Sequence, residues 1–148
     1  MLKPLMNLAK LVFCGAAFAV LAAQAEVKQI KDVLGREVAV DVPVKRAILT
    51  FYYPDYIAGY VISNTFSTEK ALALKPDVLV IPKIQYEALA AELSRFEEAG
   101  IPVIVVDFND QTVENHTQSI RIFGQLAGTE ARAEKIARAY ADGIADIQ

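Results

Sequence analysis

Val78-Leu79-Val80-Ile81 and, further along, Val103-Ile104-Val105-Val106 are two short runs without a polar residue, and their reading decides the fold. A strand with one face in water alternates apolar and polar side chains, whereas a strand covered on both faces is apolar throughout. The chain around these runs supplies the cover. Gln85 to Ala99 is amphipathic at helical spacing, Gly100 closes it as a C-cap, and Ile101-Pro102 leads into the second run. Upstream, Ser67 or Thr68 caps a short helix through Leu74, which Lys75-Pro76-Asp77 breaks. Downstream, a helix from about Thr112 to Ala127 carries Val113, Ile120, Phe123 and Ala127 on one side. Gly128 stops it, and Thr129 caps another helix with Ala133, Ile136, Ala137, Tyr140 and Ile144 at helical spacing. Arg46-Ala47-Ile48-Leu49-Thr50-Phe51 reads as a third short buried strand. Short apolar strands alternating with amphipathic helices predict an α/β fold, a parallel sheet sandwiched by helices. Ahead of it, Val27 to Asp41 reads as a hairpin in which Gly35 takes positive φ within Leu34-Gly35-Arg36, and Pro43 ends that unit.

Residues 1–25 have the organisation of a secretory signal peptide. Lys3 and Lys10 give positive charge, Leu11 to Ala23 carry none, and Ala23-Gln24-Ala25 has the small-x-small pattern of a cleavage site. The apolar core is shorter than the roughly 20 residues that a membrane span needs. Removal of the leader is expected to leave Glu26 to Gln148 in the periplasm, with no membrane insertion afterwards. The single cysteine, Cys14, lies inside the leader behind the large Phe13, so the mature chain is expected to have no disulfide, thiolate metal site or cysteine nucleophile. The net charge of −3 includes both leader lysines, so the remainder is more acidic still, and it has no basic run. Nucleic acid and anionic membrane surfaces are poor partners for such a chain. Its apolar content suits one domain with a sizeable core.

In a parallel sheet ligands gather beyond the carboxyl ends of the strands. Those ends carry Tyr52, Tyr53 and Tyr56, then Lys83 and Tyr86, then Phe108 and Asn109. Aromatic walls with a few polar groups suit a flat or chelated organic ligand better than a bare ion. Catalytic signatures are missing. The chain has no Gly-x-Ser-x-Gly elbow, phosphate loop or Gly-x-Gly-x-x-Gly turn. His116 is the lone histidine and is expected to pack on the apolar side of its helix, too few ligands for a zinc site. Neither an enzyme, a metal centre nor a cofactor is expected.

Several stretches together resemble the periplasmic binding proteins that deliver ferric siderophores, haem or cobalamin to ABC importers. Asp32-Val33-Leu34-Gly35-Arg36-Glu37-Val38 followed by Pro43-Val44-Lys45-Arg46-Ala47-Ile48 resembles the family's first hairpin and strand. Thr68-Glu69-Lys70-Ala71-Leu72-Ala73-Leu74-Lys75-Pro76-Asp77-Val78-Leu79-Val80 is similar to its most recognisable segment. Ala99-Gly100-Ile101-Pro102-Val103, and Ile122-Phe123-Gly124 through Thr129-Glu130-Ala131-Arg132-Ala133, match its later pattern. The resemblance implies a Rossmann-like amino-terminal lobe over 26–128 and the beginning of a rigid interlobe connecting helix over 129–148. It further implies a metal-chelate ligand (ferric siderophore first, then haem, cobalamin or a nickel chelate) and an inner-membrane ABC permease as partner. The glutamate matching Glu69 meets an arginine of the permease in relatives. Relatives place a helix and another strand where only Tyr52 to Ser67 stands here, and the chain stops at Ile147-Gln148 inside a helical pattern. The expectation is therefore an internally shortened lobe, with a non-binding remnant of such a protein as the alternative. An unrelated flavodoxin-like domain is disfavoured by the leader and the missing catalytic motifs.

Overall fold

The structure, a computed structural model, describes residues 25–50, 67–110 and 112–147. Residues 1–24 and the stretch 51–66, with Tyr52, Tyr53 and Tyr56, lie outside the described residues. The element order is β1 (Glu26–Lys31), β2 (Glu37–Val42), β3 (Ala47–Leu49), α1 (Thr68–Ala73), β4 (Val78–Pro82), α2 (Lys83–Tyr86), α3 (Ala90–Glu98), β5 (Val103–Val106), α4 (Val113–Ala127) and α5 (Glu130–Ala145). β3, β4 and β5 form a parallel sheet in that order, with Leu79 opposite Val103 and Pro82 opposite Val106. Every residue of β4 and β5 is buried, as the two unbroken apolar runs require.

Alternation across the sheet sorts the core into two layers. Val78, Val80, Ile104 and Val106 face one way and meet Ile122 and Leu126 of α4 together with Ile30, Val40 and Val42 of the hairpin. Leu79, Ile81, Val103 and Val105 face the other way and meet Ala71 of α1 with Leu93 and Phe96 of α3. Helices thus cover both faces, as expected, and the first layer adds a second kind of cover. Antiparallel β1 and β2 share that face with α4, because Ile30, Val40 and Val42 fall on one side of the hairpin. Gly35 turns the hairpin at φ 79°, in the left-handed region that glycine enters without strain.

Some expectations about single elements change. The helix placed over Gln85 to Ala99 is two pieces: Leu89 leaves the helical region (φ −112°, ψ 20°) and packs into the layer beneath. The strand at Arg46 to Phe51 was expected to be buried, but Ala47 and Leu49 of β3 are exposed. β3 has a single neighbouring strand among the described residues. On α4 the buried residues are Thr117, Ser119, Ile122, Gly124 and Leu126, while Val113, Ile120 and Phe123 are half-buried and Ala127 is exposed. This helix has two covered faces, one on the sheet and one on α5, so a single apolar stripe does not describe it.

The α4–α5 contact depends on a missing side chain. A Cβ on Gly124 would lie 2.3 Å from Cβ of Ala133, closer than real Cβ contacts come. Gly128 (φ 65°) ends α4, and Thr129 N–H donates to Gly124 O at 2.8 Å, folding α5 back. Thr129 stands at the N-cap of α5 but its side chain makes no capping bond. Ala133 and Ala137 are the buried residues of α5; Ile136 is exposed and Tyr140 and Ile144 are half-buried. Arg121 of α4 and Arg138 flank Glu134 at 2.7 Å each, and Lys28 of β1 pairs with Glu130. Exposed ion pairs contribute only about 0–1 kcal/mol each, so close packing at Gly124 decides how α5 sits.

Gly124→Ala should gain a few tenths to ~1 kcal/mol in helix propensity yet lose about 1–3 kcal/mol to overpacking. A net fall in the urea midpoint is expected, recovered in part by adding Ala133→Gly; a Gly124→Ala protein as stable as the parent would contradict the packing. The acid dependence follows from the carboxylates. Hydrogen bonds from Arg121 and then Arg138 lower Glu134 from 4.5 to about 2. Glu130 is lowered by Lys28, and Asp77 by the backbone N–H of Arg46. Each group prefers to be ionised in the folded state, so its contribution is complete above its unfolded value and is lost as pH falls through the folded one. The melting temperature should therefore hold above about pH 5 and drop between 4.5 and about 2. Glu134→Gln should show a shallower drop by circular dichroism, and an identical slope would remove Glu134 from the account.

Candidate functional site

The carboxyl ends of β4 and β5 are brought side by side by the pairing of Pro82 with Val106, and the next residues on each chain meet. Lys83 Nζ lies 3.7 Å from Asp107 Oδ2, with the lysine side chain 50% and the aspartate side chain 4% exposed. Asp107 organises the turn into α4. Its Oδ1 accepts the backbone N–H groups of Asn109 and Asp110, both at 3.0 Å. Its own N–H donates to Ser119 Oγ at 2.9 Å, and that hydroxyl donates back to Asp107 O at 3.1 Å. A buried carboxylate requires such donors, since an unsatisfied buried polar group costs about 1–3 kcal/mol. Asn115 Nδ2 reaches Asp110 Oδ2 at 3.1 Å and Asp107 Oδ2 at 3.4 Å, while Thr112 Oγ1 caps α4 by accepting from Asn115 N–H.

The expected site residues do not share one situation. Lys83 and Asn109 are exposed at this rim, and Ile84 stands 64% exposed beside Lys83. Phe108 is half-buried and leans on the core, its ring centroid 6.2 Å from Phe123 in a stacked arrangement and 5.6 Å from His116. His116 is half-buried, as expected, with Nε2 3.2 Å from Phe108 O and its ring 5.2 Å from Tyr140. Tyr86 goes elsewhere. Its side chain packs on the layer containing Leu79 and Val103, and its hydroxyl accepts from Arg36 Nη1 at 2.8 Å. Tyr52, Tyr53 and Tyr56 lie outside the described residues. The rim seen here is therefore built by Lys83, Ile84, Asp107 and Asn109.

Sequence reasoning missed the group that holds Tyr86. Asp32 is fully buried, and its carboxylate accepts from Leu34 N–H, Arg36 N–H, Arg36 Nε and Nη2, and Val105 N–H. Val33 N–H donates to Val105 O at 3.2 Å, and Arg36 Nη2 donates to Val103 O at 3.0 Å. The hairpin turn thereby satisfies the outward backbone groups of β5, which has no further strand beside it among the described residues. The available signal was an acid and an arginine four apart around a turn glycine, which carries too little information alone to predict burial.

At the opposite, amino-terminal edge, Asp77 Oδ2 accepts from the N–H groups of Lys45 (2.9 Å) and Arg46 (2.8 Å), fastening β3 to the approach of β4. A cleft of about 650 Å³ opens there among Val27, Lys75, Pro76, Gly100 and Pro102. Asp41 and Asp77 line it along with Lys75, so it is polar as well as apolar, but it lies away from the carboxyl ends of the strands, where parallel sheets gather ligands. The rim is the better candidate on topology. Among the described residues no three His, Cys, Asp or Glu side chains are grouped to hold a metal ion, and no helix is long and apolar enough to cross a membrane.

Glu69 occupies the first turn of α1, behind the Ser67 cap, with its side chain 77% exposed and Oε1 3.2 Å from Arg95 Nη1. Exposure on that scale leaves it accessible to a partner.

Comparison with known proteins bears on all of this. The model of a family described as "Periplasmic binding protein" matches residues 26–148. An uncharacterized ABC transporter substrate-binding lipoprotein of Bacillus subtilis (strain 168), YvrC, is 28% identical over 82 residues, which is 55% of this chain and 26% of that protein. The TroA-like periplasmic binding protein FepB from Veillonella parvula superposes with a TM-score of 0.69 at 23% identity, over 79% of this chain and 47% of that one. Staphylococcus aureus SirA, solved with staphyloferrin B, superposes with a TM-score of 0.54 at 19% identity, over 80% of this chain and 48% of that one. The chain thus spans about a quarter of the curated relative and about half of these solved chains.

Proposed function

This chain belongs to the periplasmic binding protein family, and from that premise we propose that it is the substrate-binding component of an ABC importer for a metal chelate. A ferric siderophore is the favoured ligand, with haem, cobalamin and nickel chelates as the other members of the class. The ligand would sit on the carboxyl edge of the sheet, against Lys83, Ile84 and Asn109 and the tyrosines Tyr52, Tyr53 and Tyr56 of the strand-end segment outside the described residues. The single observation that carries this reading is the meeting of Lys83 and Asp107 from two adjacent strand ends. It gives the carboxyl edge a buried, hydrogen-bonded floor under a polar and apolar rim, the combination that ligand sites in parallel sheets use. The relatives' descriptions, an ABC transporter substrate-binding lipoprotein and a protein solved with staphyloferrin B, agree with it.

Delivery requires a permease. Glu69, exposed at the start of α1, is the proposed docking residue, and the leader at 1–25 would place the protein in the periplasm beside an inner-membrane partner. Its contact with Arg95 is an exposed pair contributing about 0–1 kcal/mol, whereas a desolvated pair across an interface couples by ~1.5 kcal/mol or more. The coupling available across an interface thus exceeds what the Arg95 pair supplies.

Titration with ferric siderophores, haem, cobalamin and nickel chelates, followed by tyrosine fluorescence and calorimetry, should give saturable binding to one class. Silence toward the whole panel would reject the binding role and leave the non-binding remnant. For docking, Glu69→Lys should abolish uptake by cells while chelate affinity stays at the parent value, because the residue is not at the rim. Uptake at the parent rate would reject Glu69 as the contact.

A further inference from the structure

The weakest-held part of the rim is the segment that carries Lys83. α2 is four residues long, none of them buried, and it has no side-chain cap at its start. Glu87 to Leu89 then pass as a turn before α3. So short a helix cannot hold itself in water, and its position must come from contacts outside it. Two side chains of α2 supply them. Lys83 reaches Asp107 at 3.7 Å, too long for a hydrogen bond and half-exposed. Tyr86 is the firm anchor: its hydroxyl accepts from Arg36 at 2.8 Å, and the guanidinium carbon lies 4.7 Å from its ring centroid. Charge-assisted bonds of this kind are the stronger ones, and a cation over an aromatic face adds to them.

Arg36 is itself immobilised. Two of its nitrogens bond Asp32, one of these also bonds Val103 O, and the remaining nitrogen is the one on Tyr86. Asp32 is in turn bonded to Val105 N–H, and its carbonyl accepts from Gln118 Nε2 of α4 at 3.0 Å. The buried strand β5 therefore fixes Asp32, Asp32 fixes Arg36, Arg36 fixes Tyr86, and Tyr86 sets where Lys83 and Ile84 stand.

We infer that Arg36 is a positioning residue for the ligand rim, acting through the phenol of Tyr86, and that Tyr86 serves the site as a strut rather than as a wall of the pocket. The inference rests on the ligand reading given above, since only a ligand at this rim makes the position of Lys83 matter. Lysine at position 36 would keep the charge but not the planar fork that spans Asp32, Val103 and Tyr86 together.

The test uses Tyr86→Phe, which keeps the ring and removes the acceptor, with Arg36→Lys as the second variant. Amide hydrogen exchange is followed for residues 84–89 and, as an internal standard, for β4 and β5. Exchange at 84–89 should quicken by about tenfold in Tyr86→Phe, with the amides of β4 and β5 quickening no more than the small accompanying fall in melting temperature accounts for. Affinity for the chelate bound in the siderophore, haem and cobalamin panel should fall by roughly the same factor. Unchanged exchange at 84–89 would overturn the inference; with affinity lowered all the same, it would mean that Tyr86 touches ligand directly. Faster exchange with undiminished affinity would overturn it as well. A parent protein that binds nothing in the panel sinks the ligand reading instead, and the exchange result then still decides whether the strut exists.

Discussion

Complete burial of β4 and β5 on both faces is the constraint from which the remaining architecture follows. Eight residues, Val78 to Ile81 and Val103 to Val106, carry no polar side chain and nearly no exposed surface. Two layers must therefore be found to cover them, and the chain finds one in α1 and α3 and the other in α4 with the hairpin. Burial also leaves no water for the backbone. On the β4 side the ladder satisfies β5, and on its outer side Asp32, Val33 and Arg36 do so. A charged residue with no exposed surface is tolerated at Asp32 because every cost of its desolvation is met by a donor.

The same constraint places the candidate edge. Parallel strands released at Pro82 and Val106 must turn at one edge, and the first residues past them are the first free to be polar. Asp107 stays under the surface and spends its carboxylate on the backbone of its own turn, while Lys83 projects above it. Below, α4 is held to the sheet by Ile122 and Leu126 and to α5 by the absence of a side chain at Gly124. The rim thus stands on a rigid floor, with one loosely built element, α2, at its margin.

How much of this was legible in the sequence depends on the range of the interaction. The two apolar runs announced parallel strands because double-sided burial imprints itself on every residue. Gly35, Gly100 and Gly128 marked turns correctly because positive φ is a demand made by one residue on itself. The hairpin's place over the sheet was not legible, since Ile30, Val40 and Val42 show an apolar side without naming what covers it. The break at Leu89 and the shared faces of α4 were missed for a related reason: one residue can serve two neighbours, and a single periodicity describes only one. At the candidate rim, topology alone puts Lys83 and Asn109 at adjacent strand ends, and the structure places both there, exposed. Sequence position puts Tyr86 in a strand-end loop but does not give the direction of its ring, which in the structure packs on the layer containing Leu79 and Val103 and meets Arg36, 50 residues earlier.

The account stands or falls with the direction of the β4–β5 pair. Isotope-edited NMR contacts between the backbone amides and α-protons of 78–82 and 103–106 report it without reference to any ligand. The account predicts a ladder running in one direction, with Leu79 next to Val103, Ile81 next to Val105 and slow exchange throughout. A ladder running the opposite way, with Leu79 beside Val105 and Ile81 beside Val103, would separate Lys83 from Asp107 and remove the rim on which the functional reading is built.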